Sequence, residues 1–363
     1  MKKVLFVATI DSHIELFHLP YLKYFKDNGY EVHVATDSLK KIDYCDKKIK
    51  LPIKRSPYSL SNIKATRILR GILNNEKYDI IHCHTPMGSV VTRFAAKKAR
   101  KNGTKVIYTA HGFHFYKGAP IRNWFLFYPI EKLLSKYTDT LITINKEDYD
   151  FAKRKFKTDI KYIKGVGLDK EKFNCILSED EKNILRESLG LNKNDFVMIY
   201  PAELNKNKNQ LFLIKAMEKL DDNIHLLLPG KDSYKGKYQK IVKILKLENR
   251  VHFLGFRNDI QKLLQISDLE ISSSKREGLP LNLIEAMYMK LPVIATINRG
   301  HKELVKNDVN GYLIEQDDIN DLIDKINFLY KNNKFKTNLG FNSTKLIKEY
   351  LLENVIIDMK KIY

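Results

Sequence analysis

The sequence predicts an α/β chain of two doubly wound domains, each a parallel sheet with helices on both faces. Three observations carry this. Short apolar runs alternate with longer amphipathic stretches, the runs are apolar at nearly every position, and the scheme plays through twice. A strand buried on both faces has no polar side, and parallel strands need a crossover, usually helical, to return to the same edge. A chain of 363 residues has room for two such domains, each with its own core.

In the first half the predicted strands are residues 4–10, 32–35, 80–82, 106–110, 140–144 and 160–163, with helical stretches at 19–28, 62–74 and 88–102. The second half repeats the scheme with strands at 196–200, 225–228, 251–253, 269–272, 293–295 and 311–314. The polar stretch 165–194 reads as the connection. Domain boundaries are therefore expected at 1–165 and 166–344, with a terminal helix at about 345–363 packing back on the first domain. Two Rossmann-like domains would face each other across a cleft.

Composition narrows the function. The net charge is +21, and residues 1–165 hold most of it, 32 Lys+Arg against 15 Asp+Glu, while residues 166–363 hold 32 against 28. Such a field suits a polyanionic partner: a membrane surface, a nucleic acid or an anionic acceptor. A Lys-rich composition is the plainer alternative. Nucleic acid is disfavoured because no basic recognition helix or stacking platform accompanies the charge. Three cysteines (Cys45, Cys83, Cys175) make no CxxC and suit a reducing compartment. The run 4–10 is too short for a signal sequence and meets Asp11 and His13 at once. No stretch approaches the roughly 20 apolar residues that span a membrane. The chain is expected to stay inside the cell.

Open α/β sheets bind ligands at the carboxyl ends of their strands, so the loops after the strands matter most. The most informative is SSSKREGLPLNLIEAMYMKLPVIAT, residues 272–296. A strand ends, a polar loop follows, and Gly278-Leu279-Pro280 leads into a helix. Pro280 suits the first helical turn, whose free N–H groups and dipole favour an anion. Glu277 sits in the loop and Glu285 about one turn into the helix, so a diphosphate could meet the helix start while Glu285 accepts from ribose hydroxyls. This segment resembles the E-x7-E signature of retaining glycosyltransferases of the large family 4, which have the two-domain GT-B fold. The resemblance covers nearly the whole chain. It implies that Glu277 lies beside the donor sugar, that the backbone at Gly278, Leu279 and Pro280 meets sugar and phosphates, and that Glu285 holds the ribose.

Two more segments fit the same resemblance. In PAELNKNKNQLFLIKAM, residues 201–217, Lys208 falls on the family's diphosphate-binding lysine, but Glu203 stands where an arginine is usual. An acid cannot stabilise a departing phosphate, and Lys206 could supply the missing charge. This form is similar to the branch that builds capsules and exopolysaccharides. In YTAHGFHFYKG, residues 108–118, His111 matches a histidine that reaches the donor sugar across the cleft. The implied catalytic set is His111, Glu277 and Lys208. The first loop, TIDSHIELFHLP, lacks the family's usual glycine pair, leaving Ser12 and His13, with His84, as acceptor-side candidates.

No metal or other cofactor is expected. His111 with His114 lacks a third ligand, His82 with His84 makes only two, and Asp148-Tyr149-Asp150 lies at a helix start, the wrong context for a manganese site. Aromatic and basic residues crowd 113–137, where Trp124, Phe125, Phe127 and Tyr128 beside Lys117, Arg122, Lys132 and Lys136 read as an interfacial membrane segment. The expected reaction is transfer of a hexose or N-acetylhexosamine from a nucleotide sugar, probable donor UDP-linked, to a lipid-linked saccharide at the anionic inner membrane surface. The rival readings are a UDP-sugar 2-epimerase or hydrolase on the same fold, which would want acid–base carboxylates besides Glu277, and a non-enzymatic polyanion binder.

Overall fold

The structure, a computed structural model, describes all 363 residues. The chain forms two compact units, Met1–Val166 with Val355–Tyr363, and Gly167–Asn354. The second unit therefore runs to Asn354, ten residues past the boundary read from the sequence.

The first unit holds a seven-stranded parallel sheet: β1 (Lys3–Val7), β2 (Glu31–Thr36), β3 (Lys47–Lys50), β4 (Ile80–Cys83), β5 (Lys105–Ala110), β6 (Thr140–Thr143) and β7 (Asp159–Tyr162), in the order β3-β2-β1-β4-β5-β6-β7. Six of these match the predicted runs. β3 does not: with the sequence KKIK it shows the lysines of a sheet edge, where one face meets solvent and apolar continuity is lost. β1 ends at Val7, so residues 8–10 form a loop rather than more strand. The helix Leu352–Ile362 seals this unit along one face, where Val355, Met359 and Ile362 are buried, and the Tyr363 hydroxyl shares a hydrogen bond of 2.9 Å with His82 Nδ1.

The second unit has a six-stranded parallel sheet: β8 (Phe196–Ile199), β9 (Ile224–Pro229), β10 (Val251–Gly255), β11 (Leu269–Ser272), β12 (Val293–Thr296) and β13 (Gly311–Ile314), ordered β10-β9-β8-β11-β12-β13. Successive side chains of a strand face opposite sides. Phe196 and Met198 accordingly enter one core, with Leu226 and Leu228, while Val197 and Ile199 enter the other with Leu227. Burial on both faces is why these strands read as continuous apolar runs. Each fully buried Leu, Ile or Phe adds roughly 1.5–3 kcal/mol.

The stretch read as a connection, 165–194, is mostly part of this unit. It carries the helix Glu179–Ser188, started by a capping box in which Ser178 and Glu181 satisfy each other's backbone. Leu168, Phe173 and Leu191 bury themselves in the second core. No helix is long and apolar enough to cross a membrane.

Both sheets reverse direction beside their first strand. The chain runs outward from β1 to β3, then returns to place β4 on the other side of β1; it likewise runs from β8 to β10 and returns with β11 beside β8. Each reversal opens a crevice at the strands' carboxyl ends.

Candidate functional site

In the second unit the loops after β8 and β11 are sewn together at the reversal. Lys275 N donates to Asn207 O at 2.8 Å, Asn207 Nδ2 to Arg276 O at 3.0 Å, and Ser273 Oγ to Lys208 O at 2.8 Å. Tyr200 and Ser274 share a buried hydroxyl contact of 2.6 Å. Asn205 Oδ1 turns the chain by accepting from the amides of Asn207 and Lys208, both at 3.0 Å. Asn209 then takes a left-handed conformation, φ 55°, which its short polar side chain tolerates, before the helix Gln210–Met217.

These ties bring Lys208 Nζ to 2.6 Å from Glu277 Oε1, with both side chains partly exposed. Burial pushes the Glu277 carboxyl up, but the Lys208 charge, with help from His301 and Ser274, holds it below the usual range. His301 lies behind the pair, fixed by the Asn298 cap at 3.0 Å and by Ser272 at 3.1 Å, and burial brings its pKa down to about 4. Gly300 permits this approach: a Cβ there would come within 2.8 Å of Glu277 Cβ.

Pro280 stands just ahead of the helix Leu281–Tyr288 rather than inside its first turn. Glu285 is on that helix, and its carboxyl makes no hydrogen bond or ion pair. Burial raises its pKa to about 7, opposed only by the charge of Lys172. Gly278 and Leu279 line the approach to the helix and are partly exposed. Glu203 does not join this group: it is exposed, its carboxylate takes the Ser233 hydroxyl, and its carbonyl accepts from Gln210 at 3.0 Å. Lys206 is exposed and makes no ion pair.

Two neighbours were missed from sequence. Arg299, nearly buried, donates from Nε to Glu277 O at 3.3 Å. Glu270, fully buried on β11, accepts from Asn282 Nδ2 at 2.7 Å through one oxygen and leaves the other unpartnered. Burial, with the charge of Glu285 adding, raises its pKa well above the ordinary value. An acid inside an otherwise apolar strand was the available signal.

The first unit gathers histidines instead. Asp11 anchors the helix Asp11–Phe17 by accepting from Lys48 Nζ at 2.6 Å and from the Thr36 and Ser38 hydroxyls. That sets His13 over the reversal, beside His84 at the end of β4 and His111 at the end of β5. His13 Nε2 lies 3.3 Å from His111 Nε2, and His111 Nε2 lies 3.5 Å from His84 Nδ1. His18, not singled out in the sequence, completes the set at 3.2 Å from His13. One nitrogen from each of these four lies within 4.8 Å of every other, a grouping the sequence spacing did not show, because three different strand ends contribute. Ser12 is exposed.

Thr85, next to His84, has φ 60°, a strained value for a β-branched residue, and is pinned by Thr9 at 2.7 Å. Gly88 makes room for it, since a Cβ there would meet Thr85 Oγ1 at 2.7 Å. A cavity of about 350 Å³ opens beside His13, lined by Ile10, Arg55, Met87, His114 and Phe127 among others. His114 therefore belongs to this cavity, not to the histidine group. Asp148 is buried and structural: it accepts from Phe113 N at 3.0 Å and Asn145 Nδ2 at 2.9 Å.

The aromatic-basic segment divides. Trp124, Phe127 and Tyr128 are half-buried against the first core, whereas Phe125 is 76% exposed. With Ile121 and Leu133 it shares the exposed side of the helix Ile121–Ser135 with Arg122, Lys132 and Lys136.

The comparisons agree with this architecture. Residues 3–145 match the family described as Glycosyl transferase 4-like, and residues 181–346 match Glycosyl transferases group 1. EpsD of Bacillus subtilis, named a candidate glycosyltransferase, is 44% identical over all of this chain and 96% of its own length. An Escherichia coli UDP-Gal:alpha-D-GlcNAc-diphosphoundecaprenol alpha-1,3-galactosyltransferase is 29% identical over 83% of this chain and 80% of its own. The crystal structure of Anabaena HepE in complex with UDP superimposes over 100% of this chain and 99% of that one, with a TM-score of 0.81 at 21% identity. Two doubly wound parallel sheets, both family matches and a full-length relative thus make one identification: this chain belongs to the group 1, family 4-like glycosyltransferases of the GT-B fold.

Proposed function

We propose that the chain transfers a hexose or N-acetylhexosamine, with retention of anomeric configuration, from a UDP-sugar to a lipid-linked saccharide in surface polysaccharide assembly. The observation that carries this reading is the Lys208–Glu277 pair at the β8–β11 reversal, with the partnerless carboxyl of Glu285 on the following helix. HepE, of the same fold, was crystallised with UDP, and the E. coli relative is named for a diphosphoundecaprenol acceptor.

In this reading the first-turn amides of the helix Leu281–Tyr288 and Lys208 receive the diphosphate. Glu285 accepts from the ribose hydroxyls, and Glu277 orients the sugar. The bond from the anomeric carbon to the phosphate oxygen breaks, the bond to the acceptor oxygen forms on the same face, and the acceptor proton leaves with the nucleoside diphosphate. Stabilising that departing charge is the main catalytic contribution. Lys208 and the helix start meet the phosphates without a metal at that position. The cavity beside His13 suits part of the acceptor. The exposed apolar and basic side of Ile121–Ser135 suits an anionic inner membrane leaflet, making the enzyme cytoplasmic and peripheral.

The test is a set of UDP-sugars offered with undecaprenyl-diphosphate-linked saccharides, read by mass spectrometry and by NMR of the new linkage. An α-linked product from an α-linked donor is expected. A β-linked product would remove retention, and nucleotide release without transfer under every pairing would remove the acceptor class.

A further inference from the structure

The cavity beside His13 has a single permanent charge on its wall. Arg55 lines it together with the apolar side chains of Ile10, Pro57, Met87 and Phe127, and no carboxylate is among the lining residues. The guanidinium makes no ion pair and no hydrogen bond within the chain. Its donors are therefore available to a bound anion.

The chain holds this arginine in place from both sides. Asn62, buried in the first turn of the helix Ser61–Asn75, accepts from Lys54 N at 2.8 Å and donates to Ser56 O at 2.9 Å. Those are the two residues that flank Arg55. Ile53 and Leu51, just before them, are buried in the first core. The Arg55 side chain is exposed, but the backbone that carries it is fixed.

Beyond Arg55 the same loop turns apolar on its outer side. Tyr58 is 79% exposed, Leu60 78%, and Ile63, in the first turn of the helix, 52%. Lys54, Lys64 and Arg67 are exposed in the same stretch. Single exposed apolar side chains need no explanation. Three in one short stretch beside an unpaired arginine suit a partner with an anionic group and a hydrocarbon tail.

The features follow an order: a cavity with hydroxyl and imidazole groups from Thr9, Thr85, His13 and His114, then a guanidinium, then an apolar lip. A glycosyl diphospholipid has the same order of sugar, diphosphate and hydrocarbon. The cavity holds about 350 Å³, near the small end of ligand pockets at roughly 300–1,000 Å³, which suits one sugar rather than a long saccharide. Resting on the transfer to a lipid-linked saccharide proposed above, we infer that Arg55 binds the diphosphate of the acceptor, with the first sugar in the cavity and the nearest part of the lipid against Tyr58 and Leu60. A planar guanidinium meets phosphate oxygens two at a time. Arg55 thus selects acceptors joined through diphosphate over neutral glycosides of the same sugar, and takes no part in bond making.

The experiment offers the full chain two soluble acceptors: N-acetylglucosamine joined to a short alkyl chain through diphosphate, and the same sugar as a plain alkyl glycoside. Binding is read by calorimetry without any donor. The wild type should prefer the diphosphate compound by about 10- to 100-fold, the range of a charge-assisted contact. Arg55→Gln should lose most of that preference by weakening the diphosphate compound alone, and Arg55→Lys should recover part of it. Lys54→Gln, at an exposed lysine outside the cavity lining, should keep it. A wild type that shows no preference or binds neither compound, or an unchanged preference in Arg55→Gln, overturns the assignment. Weaker binding of Arg55→Gln to anionic vesicles with the preference intact would make Arg55 a membrane contact and overturn it too. UDP binding and turnover on the same preparations report separately on the proposed transfer, which fails if the wild type binds no UDP-sugar, whatever Arg55 does.

Discussion

The two sheets reverse at the same topological place and put opposite chemistry there. At the β8–β11 reversal the side chains are charged: Lys208 is paired with Glu277, and Arg299 holds the backbone behind them. At the β1–β4 reversal they are imidazoles, and Asp11, on the same helix as His13, is turned away to Lys48. The fold supplies a crevice in both cases, and the side chains at the strand ends decide what can occupy it. One offers an ion pair beside a helix start; the other offers imidazoles.

Removing the charge at the second reversal should have the largest effect. Lys208→Ala should lower turnover about 100- to 1,000-fold by depriving the leaving group of its cation. It should also destabilise the fold by roughly 1–3 kcal/mol, because Glu277 loses its partner while remaining mostly enclosed. Adding Glu277→Gln should restore stability but not turnover. Steady-state kinetics and urea unfolding check both, and unchanged turnover in Lys208→Ala would remove it from the site.

Glu285 sharpens the contrast, since its site works against folding. Its carboxyl is raised to about 7 in the folded chain. Between the ordinary carboxylate range and pH 7 the folded state binds more protons than the unfolded one, so this group's contribution to stability falls as pH rises through that window. Glu285→Gln should therefore be more stable than wild type at pH 8, by roughly 1–3 kcal/mol, and similar at pH 4. UDP binding should move oppositely. At pH 8 the variant should lose about 1.5–3 kcal/mol of affinity, a charge-assisted hydrogen bond to ribose, with a smaller loss below pH 7. Calorimetry across pH that finds no difference between the two proteins would end the ribose assignment.

The first unit's surface should give smaller effects. Arg122→Gln, Lys132→Gln or Lys136→Gln should each weaken binding to anionic vesicles by about 1 kcal/mol, less at high salt, without changing UDP affinity. Sedimentation that is indifferent to lipid charge would assign the +21 to composition alone. The smallest expected effect is none: Mn²⁺ or a chelator should leave UDP affinity unchanged if, as proposed, lysine and a helix start meet the phosphates. A Mn²⁺-dependent rise in affinity would overturn that.

How far the sequence could be read follows from the same contrast. Strands buried on both faces announce themselves as apolar runs, which is why the second sheet was legible throughout and only lysine-edged β3 was missed in the first. Glu277, Glu285 and Lys208 were legible because each lies in a short segment right after a strand, where position along the chain stands for position in space. The histidines were not. His13, His84 and His111 were noticed one by one, but their meeting depends on β1, β4 and β5 lying side by side, a fact of strand order rather than spacing. His18 had no local signal at all. How the loop after β8 turns is likewise set by its partners, here Asn205 and Asn207, and is not legible from its lysines.

The return of residues 355–363 to the first unit has a consequence for synthesis on the ribosome. Val355, Met359, Ile362 and Tyr363 fill that unit, yet they are translated after everything in the second. The second unit can finish folding while the chain is still being made; the first must wait with an apolar seat open. A ribosome stalled in the last helix would release a protein whose nucleotide-binding half is sound and whose other half is unsealed, exposed to proteases and chaperones. Pulse proteolysis of stalled chains should cut the first unit and spare the second.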